Sequence, residues 1–161
     1  MGLDADTAET ATPLGRACLV LDQEAEADEL CTENERLAGH ALKASTAWRT
    51  LQALLLSRRG DYDEARRMAG EAVSVAGHTD LLVDHGDACL TLATVLNAAG
   101  ETAGARAAAG RAVDLYERKG AAALAERARR LLGEHTVPSA PTRPEFPASN
   151  LTPRPRESVN A

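Results

Sequence analysis

The chain has 161 residues and a formal net charge of −6, a length that suits one domain with tails. Hydrophobic residues are 44%, much of it alanine, and aromatics only 2%. That excludes a core built around large rings and favours closely packed helical layers, because Ala and Leu form helices well and let backbones approach. An acidic chain with so few aromatics also lacks the basic footprint that nucleic-acid binding requires.

The charge is unevenly spread. Residues 1–35 carry ten acids and the single base Arg16, whereas residues 117–134 carry Arg118, Lys119, Arg127, Arg129 and Arg130 against Glu117, Glu126 and Glu134. Solvated helix faces account for this pattern; the alternative is head-to-tail association or docking of the acidic end on a basic partner. Cys18, Cys31 and Cys89 form no CxxC pair and read as small core residues. The opening MGLDADTAETATP has no basic or apolar signal-peptide region, and the apolar run LQALLL is too short to span a bilayer. A reduced, cytoplasmic protein that binds neither membrane nor nucleic acid is the expectation.

In chain order, residues 1–11 are small, polar and acidic, and are expected to be disordered. Thr12 and Pro13 offer an N-cap and a first helical position, opening a helix to about Leu21. A second helix, acidic at its start, ends near Gly39. Residues 41–59 place Ala47, Leu51, Leu54 and Leu55 at helical spacing, with Arg58 and Arg59 in the last turn and Gly60 as the stop. Asp61 and Glu64 have capping-box spacing for the next helix, which is expected to end near Ala76. Thr79 and Asp80 precede a helix over 80–99 that stops at Gly100. Another helix runs to Lys119 before Gly120, and a last one follows. From Thr136 the composition turns proline-rich, reads as a disordered tail, and contains the PxxP pattern PTRP.

Residues 60–73, GDYDEARRMAGEAV, are echoed by residues 100–113, GETAGARAAAGRAV. Gly60, Ala65, Ala69, Gly70 and Ala72 align with Gly100, Ala105, Ala109, Gly110 and Ala112. Small residues recur because they set the distance between packed helices. A weaker copy at residues 14–30 aligns Ala27 with Ala65 and Ala105, and Leu14-Gly15 with Gln52-Ala53 and Leu92-Ala93. This is the signature of a solenoid, in which each hairpin buries its face only by stacking on its neighbours.

Leu14-Gly15, the turns GDYDEA and GETAGA, and Ala72 and Ala112 resemble the tetratricopeptide repeat (TPR) family over residues 12–134. The period here is longer than the family's, Leu56, Leu96 and Cys18 stand where a tyrosine is usual, and the closing proline is missing. The resemblance implies an all-α, right-handed superhelical stack of three TPR-like hairpins, about 12–39, 41–77 and 79–119, with a capping helix at 121–134 and a disordered tail at 135–161. The order ADEL, ENERLAG, a Trp-containing helix, LSRRGDYDEARRMAGEAV and AVDLYERKGAAALAERARRLL is further similar to the C-terminal TPR-like region of actinobacterial regulators. Those regulators carry a cyclase domain and an ATPase module upstream.

The sequence holds no GxxxxGK[ST], HExxH, GxSxG or GxGxxG. HTDLLVDHGD, residues 78–87, is the one polar cluster; it reads as an acidic first turn favoured by the helix dipole, with metal binding as the alternative. The expectation is a non-catalytic scaffold or adaptor without cofactor or metal, serving signalling or transcriptional regulation. The alternative is the C-terminal regulatory fragment of a multidomain ATPase or cyclase-type regulator. By resemblance, the inner face that receives a protein or peptide segment comprises Arg16, Thr50, Leu54, Ser57, Arg58, Asp87, Thr94 and Asn97. A homodimer through the open ends of the stack is a second form of partnership.

Overall fold

Three glycines punctuate the chain in the same way. Gly60, Gly100 and Gly120 have φ of +82°, +81° and +76°, a region that a Cβ disfavours. At each, the glycine N–H and the next residue's N–H turn back onto the helix just ended. Gly60 N donates to Ser57 O and Asp61 N to Leu56 O; Gly100 N donates to Asn97 O and Glu101 N to Leu96 O; Gly120 N donates to Glu117 O and Ala121 N to Tyr116 O. These paired bonds satisfy carbonyls that a helix end otherwise leaves open.

The computed structural model describes residues 13–39 and 41–134. Within them lie seven helices and no strand: α1 (13–20), α2 (Glu24–Ala38), α3 (Leu42–Arg58), α4 (Tyr62–Gly77), α5 (Leu82–Ala98), α6 (Thr102–Lys119) and α7 (Ala122–Glu134). The fold is an all-α, TPR-like helical stack. The expected N-terminal disorder, the Thr12 cap, and the proline-rich tail with its PTRP motif lie outside the described residues.

Consecutive helices from α2 to α7 pack on one another, and α3 also packs directly on α5. No comparable contact joins α4 to α6 among the described residues, so the first helices of successive hairpins crowd together while the second helices diverge. The seam between the second and third hairpins is built from Ala53, Ala65, Ala69 and Val95, all with no exposure. Ala27, Ala65 and Ala105, aligned by the repeat, are all fully buried. The third hairpin and α7 share a bulkier cluster around Tyr116, with Ala88, Cys89, Val113, Leu115, Ala125 and Ala128. The first hairpin is sealed on α3 by Cys18, Leu19, Ala27, Cys31, Trp48, Leu51 and Leu55.

Two local expectations differ in detail. Asp61 does cap α4, accepting from Glu64 N at 3.4 Å, but the Glu64 carboxylate bonds Arg67 on its own helix instead of completing the box. Gly77 is the last residue of α4, one beyond the expected end at Ala76, and α5 begins at Leu82, after a turn in which Leu81 N donates to Thr79 Oγ1 at 3.2 Å.

Candidate functional site

The first helices share one side of the stack. Gly15 on α1 lies against Leu51 of α3, so closely that a Cβ on Gly15 would stand 2.4 Å from Leu51 Cδ2. One residue on, Arg16 extends its guanidinium to α5, where Nη2 donates to Thr91 Oγ1 at 3.0 Å. The hydroxyl of Thr91 in turn donates to Asp87 O at 3.0 Å, and the Asp87 carboxylate accepts from the Tyr116 hydroxyl at 2.5 Å. A polar chain thus runs from α1 through α5 to α6. Tyr116 itself has no exposure, and its ring fits against Gly86, where a Cβ would stand 2.6 Å from Cε1.

Burial, and then the hydrogen bond and charge of Asp87, push the Tyr116 phenol above the ordinary tyrosine range, while Arg16 and Arg127 act the other way. The group stays a neutral donor. Arg16 Nε is shielded from solvent and finds no acceptor among the described residues, a condition that costs free energy wherever a donor is left unmatched.

The eight inner-face residues expected from sequence separate into three groups. Arg16 and Asp87 are brought together through Thr91. Leu54 and Ser57 on α3 are half-buried, and Thr94 and Asn97 on α5 are exposed; the pairs are offset by the repeat spacing, which sets Arg16, Leu54 and Thr94 at equivalent positions of three first helices. Thr50 and Arg58 stand apart. Thr50 is buried, its hydroxyl donating to Ala47 O at 2.7 Å, and Arg58 reaches the turn after α1, pairing with Asp22 at 2.9 Å. Thr91 and Tyr116 were not singled out from sequence. The signal for them was Gly86, a glycine inside a helix, which marks a close approach.

The polar cluster at residues 78–87 is dispersed by the fold. His78 Nδ1 is 2.7 Å from Ser74 O on α4, and Asp87 serves Tyr116. His85 turns toward Gly77, with Nε2 shielded and lacking a hydrogen-bond partner among the described residues. Burial, followed by the charges of Arg111 and Arg118, holds its pKa below the ordinary histidine value. Among the described residues no three or more His, Cys, Asp and Glu side chains converge as metal ligands. No described helix is long and apolar enough to cross a membrane.

The thiols are all buried. Cys31 Sγ donates to Gln52 Oε1 at 3.1 Å. Its pKa is pushed up to about 12 by burial first, then by Asp28 and Glu35, with Arg59 opposing. Trp48, also buried, packs in the first cluster with the Arg49 guanidinium 4.4 Å from its ring centroid.

A family model described as tetratricopeptide repeat matches residues 53–78, the end of α3 together with α4. No curated protein matches the chain.

Proposed function

We propose that residues 12–134 form a non-catalytic protein-interaction module, a TPR-like scaffold or adaptor in bacterial signalling or transcriptional regulation. The inner side of α1, α3 and α5 would receive an extended segment of a partner protein. The observation that carries this reading is the Arg16–Thr91 bond across the first helices. It supports a common side on which Arg16, Leu54 and Thr94 form one row and Ser57 and Asn97 lie one turn further on. The repeat match at residues 53–78 adds a general precedent, since repeat stacks present extended surfaces for protein segments.

Photo-crosslinking tests the reading. A photoreactive residue at Thr94 or Asn97 is expected to capture a partner that the same group at Ser74, exposed on α4, does not. Equal capture at all three positions would sink the inner-face assignment. The signalling role rests on the resemblance to the C-terminal region of cyclase- and ATPase-bearing regulators. An adjacent reading frame encoding a P-loop would support the alternative of a regulatory fragment.

A further inference from the structure

The two ends of the stack are opposites. α1 buries Gly15, Cys18 and Leu19, while Pro13, Leu14, Ala17, Val20 and the following Leu21 are exposed. Leu14 is 54%, Val20 80% and Leu21 69% exposed. Apart from Asp22, which follows Leu21 and pairs with Arg58, that side is apolar, and large apolar side chains standing in water are unfavourable by about 25 cal/mol per Å². Beside it, α2 exposes Glu26 and Glu29, neither of them ion-paired among the described residues.

The far end is α7. It buries Ala125 and Ala128 and exposes Ala122, Ala123, Glu126, Arg127, Arg129 and Arg130. Arg127 has no acidic partner among the described residues, and Arg130 only grazes Glu126 at 4.0 Å. One end therefore offers protruding apolar side chains flanked by unpaired acids, and the other a shallow alanine surface with three exposed arginines against one exposed acid, Glu126, among the described residues of α7.

We infer that two copies of this chain associate head to tail, the α1–α2 end of one seated on α7 of the next. A second copy fits because size and charge are complementary between the ends. A symmetric pairing of α1 with α1 would instead gather Glu26 and Glu29 of both copies at one contact, and like charges there oppose association. Such a head-to-tail contact closes into a ring or extends as a chain. It leaves the inner side of α1, α3 and α5 untouched and stands independently of the reading proposed above.

Size-exclusion chromatography with light scattering, on the full chain over a concentration series, tests this directly. The mass is expected to rise with concentration and to fall with added salt, which screens the exposed charges. Val20→Glu/Leu21→Glu disables the head and Arg127→Glu/Arg130→Glu the tail. Each variant alone should lose self-association at least about tenfold. Mixed one to one, they keep one good head and one good tail, and should form a dimer that grows no further. If the head variant melts early, Val20→Ser/Leu21→Ser replaces it. A wild-type chain of monomer mass at every concentration overturns the inference, as does a mixture that stays monomeric. A tail variant that associates as well as wild type would show symmetric pairing through α1 instead.

Discussion

The seam between the second and third hairpins and the interior of the third hairpin solve one packing problem in two ways. At the seam, Ala53, Ala65 and Ala69 of the second hairpin lie against Val95 of the third, with Leu56, Met68 and Leu92 packed at the margin. Inside the third hairpin, Tyr116 meets Gly86. A fully buried tyrosine is accommodated because the facing residue has no side chain. In both regions a small residue on one helix is what lets its neighbour come close. The repeat preserves small residues at these contacts because enlarging them would force the helices apart.

Substitutions that enlarge these buried small residues should destabilise most. Ala65→Leu adds three carbons where neighbouring alanines cannot turn aside, and is expected to cost about 3 kcal/mol, the upper part of the overpacking range. A thermal melt by circular dichroism would show the loss; an unchanged midpoint would mean the seam is looser than its burial indicates. Gly86→Ala adds one carbon against a rigid ring and should cost about 1.5 kcal/mol. Adding Tyr116→Leu to Gly86→Ala should recover part of that loss, a non-additivity expected only of residues in contact.

Smaller effects test the polar chain beside this packing. Tyr116→Phe keeps the ring and removes the bond to Asp87, with an expected cost of about 1 kcal/mol in a denaturant titration. A variant as stable as wild type would assign the ring's burial, not its hydroxyl, the whole role. The smallest effect concerns pH. The His85 pKa is lowered from 6.5 by burial, Arg111 and Arg118, so below that pH the unfolded chain takes up a proton before the folded one does. Stability is then fully present above pH 6.5 and declines as pH falls through the window below it. His85→Gln should flatten that decline; an acid limb identical to wild type would place the pH dependence elsewhere.

The helical stack was legible because its signals are local and repeated. The glycine stops at Gly60, Gly100 and Gly120 follow from backbone geometry that few other residues reach, and Ala27, Ala65 and Ala105 mark buried positions by their spacing alone. The candidate site was legible only in part. Arg16 and Asp87 were both suspected, but their link runs through Thr91, a residue with no distinguishing pattern of its own. Thr50 lies on the expected helix yet turns its hydroxyl to its own backbone, a choice that depends on burial by neighbouring helices. Tyr116 was hidden because a composition poor in aromatics argues against ring-centred packing, while one glycine suffices to create it.

The buried thiols give the molecule a built-in record of its own opening. Cys31 sits in the first hairpin and Cys89 in the third, with 2% and 1% exposure. Burial raises both pKa values, so neither offers the thiolate that an alkylating reagent attacks while the helices stay closed. Labelling at each position then proceeds only when its own part of the stack comes apart. The two rates read separately how often each end of the solenoid breathes, and equal rates would mean that it opens as one cooperative unit.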